Sequence, residues 1–190
     1  MKKIILLICF CFISYFGISQ YIIADDDASN YTNFLGNGGF GFTSWQFYND
    51  LGFLDSSSDD GFGDIDTDGQ SFGLNGSSNV LAERAITVAP DGGTISFDLA
   101  VAATTGSKGV IVWSNSFKND KSNIPFRFDV VNGFYYVNNS NLNWSTSQTS
   151  IFHIELTRSG NNLNISVTRD GDSHSSTVTM NDDFFVFHFY

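Results

Sequence analysis

Hydrophobic and polar residues alternate with a period of two along much of the chain after residue 45. Such alternation buries one face of a β-strand and leaves the other face in water. No stretch keeps a helical period over three turns. Clear alternation therefore predicts strands with the apolar positions Ile95, Phe97, Leu99, Phe126, Phe128, Val130, Phe152, Ile154, Leu156, Leu163, Ile165 and Val167. Further strands are predicted at 43–48, 70–75, 80–87, 109–115, 133–137, 174–180 and 184–190.

Glycine-containing turn signals separate several of these strands, at 91–93, 159–162 and 170–172. Short strands at this spacing are typical of two antiparallel sheets packed face to face. The predicted fold class is therefore all-β, an antiparallel two-sheet jelly-roll sandwich. The side chains expected between the sheets are Phe97, Phe126, Phe128, Ile154, Leu163, Ile165 and Val167.

The first 19 residues have the pattern of an export signal. Lys2 and Lys3 precede the apolar run 4–16, and small residues stand at −3 and −1 of a cut before Gln20. The run is shorter than the about 20 residues that a membrane span needs. We expect 1–19 to be a signal peptide, the protein to be secreted or at the cell surface, and no membrane span to remain after cleavage. A retained anchor or a lipid-modified cysteine in this segment is the alternative.

Both cysteines of the chain, Cys9 and Cys11, lie in this signal segment. The rest of the chain therefore has no disulfide, no thiolate metal site and no cysteine nucleophile. The formal charge is −11, and removal of Lys2 and Lys3 would bring it to −13. Such a charge repels nucleic acid and anionic lipid headgroups, so neither is an expected partner. The acidic run 25–27 lies in an N-terminal segment, 20–30, and is predicted to be a solvated tail.

The glycine-rich segment 37–42, Asn-Gly-Gly-Phe-Gly-Phe, is followed closely by Trp45. This pattern resembles the opening of a family of secreted bacterial jelly-roll domains, which begin N-G-G-x-G-F before a tryptophan. Residues 68–74 with 82–84 look like the next hairpin of that family. Residues 152–158 with 162–165 are similar to a late hairpin of laminin-G and other concanavalin A-like domains. Together these matches cover most of residues 31 to 180.

The resemblance implies a concanavalin A-like domain over 31–190, attached to secreted or surface proteins, and it carries over no catalytic residues. Laminarinase-type enzymes of this superfamily carry their acids on one strand as E-x-D-x-x-E. The glutamates of this chain are Glu83 and Glu155, and neither lies in such a motif. The departure argues against a glycosidase.

Asp64, Asp66 and Asp68, followed by Gly69, have the D-x-D-x-D-G spacing of a calcium loop. Alternate carboxylates in such a loop converge on one hard cation while the glycine permits the turn. The twelfth position is Asn75, where an EF-hand has a bidentate glutamate, so an EF-hand is excluded. Two interpretations stay open: a looser β-sandwich calcium site, extended by Asp59 or Asp60, or a solvated acidic loop.

Aromatic residues are the candidate ligand-binding groups. Trp45 and Trp113 lie in strand patterns and are predicted to be core. Trp144 lies in the polar stretch 141–146, so we expect an exposed ring suited to hydroxyl-rich ligands, with Tyr135 and Tyr136 as neighbours.

His153 and Glu155 share one strand face, which alternation predicts to be solvent-exposed. A His–carboxylate pair on such a face is typical of a wet sheet surface, and no nucleophile pattern accompanies it. No catalytic residue is assigned.

Three functions remain open from sequence. The first is a non-catalytic secreted or surface module that binds a glycan or a surface protein. The second is a polysaccharide-active enzyme that uses an unrecognised carboxyl pair, and the third is a structural spacer. The apolar run 184–190 ends without a turn or polar tail, which predicts a strand lacking a partner. Apolar residues at both odd and even positions indicate a central strand, so we expect a further strand after Tyr190. The alternative is that the chain ends at Tyr190 and this strand pairs in the middle of the sheet.

Overall fold

The computed structural model describes residues 24–32, 38–48, 52–55, 65, 69–74, 81–86, 91–101, 104–113, 124–180 and 185–190. Within them lie one 3-10 turn, Ala28–Asn30, and thirteen strands. The strands are β1 (Gln46–Tyr48), β2 (Gly52–Asp55), β3 (Ser71–Leu74), β4 (Leu81–Ile86), β5 (Thr94–Ala100), β6 (Ser107–Trp113), β7 (Phe126–Val131), β8 (Phe134–Val137), β9 (Ser140–Asn141), β10 (Ile151–Ser159), β11 (Asn162–Arg169), β12 (Asp172–Thr179) and β13 (Phe185–Phe189). No helix in the described ranges is long and apolar enough to cross a membrane.

The strands form two main sheets and a small hairpin. One sheet has seven strands in the order β1-β4-β13-β6-β7-β8-β9, and the other has four in the order β12-β11-β10-β5. β2 and β3 pair with each other, and all of these described pairings are antiparallel. The predicted all-β, two-sheet antiparallel sandwich is confirmed.

The core lies between the two sheets. Six of the seven side chains expected there are at most 2% exposed: Phe126, Phe128, Ile154, Leu163, Ile165 and Val167. The seventh, Phe97, is partly buried and packs edge-on against two aromatic rings of β13, at 5.9 Å from Phe187 and 6.2 Å from Phe189. Period-two alternation thus located the inward positions correctly, because each sheet buries one face.

The last strand lies in the middle of its sheet. β13 pairs with β4 on one side and with β6 on the other. The central position of β13 in the sheet therefore explains why apolar residues occupy both its odd and its even positions. The predicted central position is confirmed, and the expectation that the strand lacks a partner is wrong, since β4 and β6 both pair with it.

The acidic run 25–27 belongs to the folded structure, so the prediction of a solvated tail is wrong. The backbones of Asp25 and Phe40 exchange two hydrogen bonds, of 3.0 and 2.9 Å. The Asp26 side chain, 9% exposed, forms an ion pair with Arg84. Asp27 caps the 3-10 turn by accepting from the Ser29 amide at 2.9 Å.

Arg84 is buried on the core side of β4 and holds this N-terminal segment in place. Besides Asp26, it donates to the Tyr31 hydroxyl and to the Thr43 carbonyl, both at 2.9 Å. Its guanidinium lies 4.6 Å from the Phe42 ring centre. Burial lowers the pKa of Arg84 to about 10, which still leaves it charged at neutral pH.

Candidate functional site

The face of the seven-stranded sheet that points away from the four-stranded sheet is called here the aromatic face. Its members alternate along each strand with core residues such as Val112, Phe128 and Phe187. They are Gln46 and Tyr48 on β1; Leu81, Glu83 and Ala85 on β4; Val186 and His188 on β13, with Tyr190 after it; Ser107, Gly109, Ile111 and Trp113 on β6; Arg127, Asp129 and Val131 on β7; and Phe134 and Tyr136 on β8. About half of this set is aromatic or charged.

Strand register aligns these residues in rows across the sheet. Gln46, Glu83, His188, Ile111 and Arg127 are successive register partners on β1, β4, β13, β6 and β7. A parallel row contains Tyr190, Gly109, Asp129 and Tyr136, because Tyr190 and Gly109 exchange two backbone hydrogen bonds.

A chain of contacts joins the charged residues of the aromatic face. Glu83 Oε2 lies 3.9 Å from His188 Nδ1. The His188 ring centre is 4.9 Å from that of Trp113 and 6.3 Å from that of Tyr190. The Tyr190 hydroxyl donates to Asp129 Oδ1.

Arg127 completes the network. Its Nε donates to Asp129 Oδ2, and its guanidinium lies 5.9 Å from the Tyr190 ring centre. We call the connected set of Glu83, His188, Trp113, Tyr190, Asp129 and Arg127 the outer network. Asp129 therefore accepts hydrogen bonds from the Arg127 guanidinium and from the Tyr190 hydroxyl at the same time.

Gly109 makes room for this arrangement. It stands between Tyr190 and Asp129 in the same row. A Cβ at this position would lie 2.0 Å from the Phe128 carbonyl oxygen, so even alanine requires the backbone to move. The tight approach of β6 and β7 thus depends on glycine here.

Exposure differs between the centre of the aromatic face and its flanks. At the centre, Glu83 is 6%, Asp129 3% and Trp113 8% exposed. At the flanks, Tyr48 on β1 is 42% and Phe134 on β8 is 54% exposed. Accessible aromatic rings therefore lie on both sides of a buried hydrogen-bonding network. Such a mixture suits ligands that have both apolar faces and hydroxyl groups.

Two of the three predicted ligand-binding residues, Tyr135 and Trp144, lie against the same Arg169 side chain, whereas Tyr136 lies on the opposite face of the sheet. Tyr136 lies on the aromatic face beside Asp129 and is half-buried. Tyr135 points into the core, is 1% exposed, and its hydroxyl both donates to the Ser147 carbonyl and accepts from the Ser147 amide, each at 2.9 Å. Tyr135 therefore presents no face to a ligand, which corrects that part of the prediction.

Trp144 is partly buried, which corrects the expectation of a freely exposed ring. Its indole stacks on Phe152 with 6.4 Å between ring centres and 6° between planes. Arg169, itself 4% exposed, lies 5.2 Å from the Trp144 ring centre and 5.1 Å from that of Tyr135. Arg169 also donates to the Ser145 carbonyl at 2.6 Å, which fixes the polar stretch over the core.

The two tryptophans predicted to be core differ in position. Trp113 is buried, as predicted, and lies on the aromatic face. Trp45 is half-buried and lies 5.3 Å from Phe72 and 6.0 Å from Phe189 between ring centres.

Asp64, Asp66 and Asp68 lie outside the described residues, as do Asp59 and Asp60. Among the residues that the structure describes, no group of three or more His, Cys, Asp or Glu side chains could hold a metal ion. The calcium loop therefore stays a prediction.

The outer face of the four-stranded sheet, called here the hydroxyl face, is polar and open. His153 lies between Asp98, with Nδ1 to Oδ1 at 2.7 Å, and Glu155, with Nε2 to Oε1 at 3.4 Å. The hydrogen bond to Asp98 raises the pKa of His153, and the one to Glu155 adds to this. His153 and Glu155 are exposed on one face, as predicted.

A shallow groove of about 380 Å³ crosses the hydroxyl face. Beside Glu155, small hydroxyl and amide side chains on β10, β11 and β12 line it: Thr157, Asn164, Ser166, Ser175 and Thr177. Ile165 and Ser176, whose side chains point to the opposite side of the sheet, also border it. No aromatic residue lines this groove among the described residues, unlike the aromatic face.

No protein-family model and no curated protein matches this chain. Among solved structures, a Bacillus licheniformis β-glucanase is 12% identical over 83% of both chains, with a TM-score of 0.40. A sialidase is 16% identical, covers 57% of this chain and 10% of its own, and has a TM-score of 0.39. An alginate lyase from Klebsiella pneumoniae is 13% identical over 50% of this chain and 49% of its own, with a TM-score of 0.30. The chain thus spans about a tenth of the sialidase and half of the lyase. The assignment of the fold rests on the strand order of the two sheets described above.

Proposed function

We propose that this protein is a non-catalytic, secreted or cell-surface β-sandwich module that binds a glycan on its aromatic face. The observation that supports the proposal is the placement of exposed rings at Tyr48 and Phe134 on either side of the outer network. The export-signal pattern of residues 1–19 supports an extracellular location.

The chemistry of the aromatic face matches that of a sugar chain. The apolar C–H face of a pyranose stacks on an aromatic ring, and its hydroxyls hydrogen-bond to carboxylates and imidazole. Tyr48 and Phe134 stand on β1 and β8, which are five strand spacings apart in the sheet. At about 4.8 Å per spacing this is roughly 24 Å, which suits an oligosaccharide or polymer better than a single sugar.

Carboxyl geometry supports a binding role over hydrolysis. Glu83 and Asp129 stand on β4 and β7, three strand spacings apart, so their backbones are separated by about 14 Å. Glycoside hydrolysis needs two carboxyl groups about 5 to 10 Å apart. Asp98 and Glu155 on the hydroxyl face are closer, but their side chains are 51% and 48% exposed. Such exposure does not supply the apolar surroundings that keep a general acid protonated.

Affinity electrophoresis through gels containing single neutral or acidic polysaccharides tests the proposal. We expect retardation by at least one polymer and a loss of about fivefold in affinity for Tyr48→Ala or Phe134→Ala, since one ring contact contributes about 1 kcal/mol. Phe40→Ala is the matched control, because Phe40 is also 54% exposed but lies outside the sheet strands.

Two results would count against the proposal. If the polysaccharide gel retards the Phe134→Ala and Phe40→Ala variants equally, the ligand binds elsewhere on the protein. Release of reducing sugar ends from the retained polymer, lost on Glu83→Gln, would favour the enzyme hypothesis instead.

A further inference from the structure

β12 forms one edge of the four-stranded sheet. Its eight residues pair with β11 in an uninterrupted register from Asn162↔Thr179 to Arg169↔Asp172. Among the strands that the structure describes, β11 is its one hydrogen-bonded neighbour. Within the described part of the chain, the opposite side of β12 is therefore a strand edge without a hydrogen-bonded neighbour.

The register shows which backbone groups lie at that edge. The Met180 amide donates to the Asn161 carbonyl at 2.7 Å, which extends the β11–β12 register by one pair. In an antiparallel ladder every second pair exchanges hydrogen bonds, so the even-numbered residues of β12 face β11. Four residues direct their N–H and C=O groups outward: Ser173, Ser175, Thr177 and Thr179. All four are exposed.

This edge lacks the usual protection against pairing. Natural edge strands are blunted by lysine, proline, bulges or inward-pointing charges. β12 has no lysine and no proline, its register shows no bulge, and its one carboxylate, Asp172, stands at the first position. An eight-residue strand of this kind is a template for another strand.

We propose that the protein forms a twofold-symmetric dimer in which β12 pairs antiparallel with β12 of a second copy. The twofold axis passes through Ser176, so that Ser175 faces the partner's Thr177 and Ser173 faces the partner's Thr179. This register alone pairs all four outward-directed residues, whereas a shift of two residues in either direction leaves one of them unpaired. The two four-stranded sheets then join into one sheet of eight strands.

The edge is complementary to itself, which favours a second copy over an unrelated strand. Antiparallel self-pairing in this register places Ser and Thr side chains opposite each other, and such pairs stabilise a sheet. No carboxylate faces another, because Asp172 lies beyond the four paired positions. Isologous contact of one patch with itself is also the commonest way in which soluble proteins assemble.

Sedimentation velocity of the purified protein from about 5 to 500 µM tests the dimer. We expect a concentration-dependent dimer for the wild type. Ser175→Glu with Thr177→Glu places like charges opposite each other across the axis and should weaken the dimer about tenfold or more. Ser175→Glu with Thr177→Lys places opposite charges there and should restore it.

The charge-swap pair makes the register itself falsifiable. A register shifted by two residues would place Ser175 opposite the partner's Ser175, or Thr177 opposite the partner's Thr177. The Glu/Lys variant would then have like charges opposite each other and would repel as strongly as the Glu/Glu variant. Both variants should keep the wild-type circular dichroism spectrum and, at concentrations where the wild type is a monomer, its melting temperature, since both side chains are exposed. A wild type that stays monomeric up to about 500 µM, or a dimer that neither variant alters, overturns the proposal.

Discussion

The aromatic face and the hydroxyl face both carry a pair of carboxylates, in opposite surroundings. On the aromatic face, the side chains of Glu83 and Asp129 are 8% and 4% exposed. On the hydroxyl face, those of Asp98 and Glu155 are 51% and 48% exposed. Both pairs lie on outward-facing positions of antiparallel strands, so strand position alone does not explain the difference.

Neighbouring side chains explain it. The aromatic face surrounds Asp129 with the long side chains of Tyr190 and Arg127. The hydroxyl face surrounds Glu155 with its register partners Ser96 and Ser166, which are too short to cover it. A buried carboxylate needs its hydrogen-bond partners, whereas an exposed one is solvated by water. We therefore expect substitutions on the aromatic face to affect stability strongly and those on the hydroxyl face to affect it weakly.

The largest expected effect is that of Asp129→Ala. Removing one member of a buried ion pair costs about 3 to 5 kcal/mol because the other charge loses its partner. Arg127 is 34% exposed and regains water, so we expect about 3 kcal/mol in urea-unfolding experiments. Asp98→Ala is the matched control on the hydroxyl face and should cost at most about 1 kcal/mol. Equal losses for the two variants would refute the contrast between the faces.

The sequence indicated most of the strand positions but little of the outer network. β10 and β11 were predictable because their alternation is local and uninterrupted. Glu83, Asp129 and His188 come together only because β13 inserts between β4 and β6, and one sequence does not show which strands are neighbours. Trp144 was misread because its polar neighbours suggested exposure. Arg169, at an inward position of β11, holds that stretch against the core and was not anticipated.

A smaller effect is expected from Gly109→Ala, which tests how the aromatic face is assembled. The new methyl group would lie 2.0 Å from the Phe128 carbonyl oxygen, so β6 and β7 must separate locally. Overpacking of this kind costs about 1 to 3 kcal/mol. We expect about 2 kcal/mol in urea unfolding together with weaker glycan binding. The control Ser166→Ala, on the hydroxyl face, should change neither the stability in urea nor glycan binding. A Gly109→Ala variant with wild-type stability and full binding would show that the close approach of β6 and β7 is dispensable.

The smallest expected effect is the pH dependence that His153 gives to the hydroxyl face. Asp98 and Glu155 raise the pKa of His153 in the folded state above its ordinary value of 6.5. A raised folded-state pKa means that the protonated form stabilises the protein below about pH 6.5, and that this contribution is lost as the pH rises through the folded-state pKa. Because the His153 side chain is 47% exposed, the gain should be at most about 0.5 kcal/mol. Comparing wild type with His153→Gln in urea at pH 5.5 and pH 8.5 measures it: the wild type should be the more stable protein at the lower pH and should lose that advantage at the higher one. An advantage that grows as the pH rises would mean that the neutral imidazole is the stabilising form, and the open, solvated character assigned to this face would then be wrong.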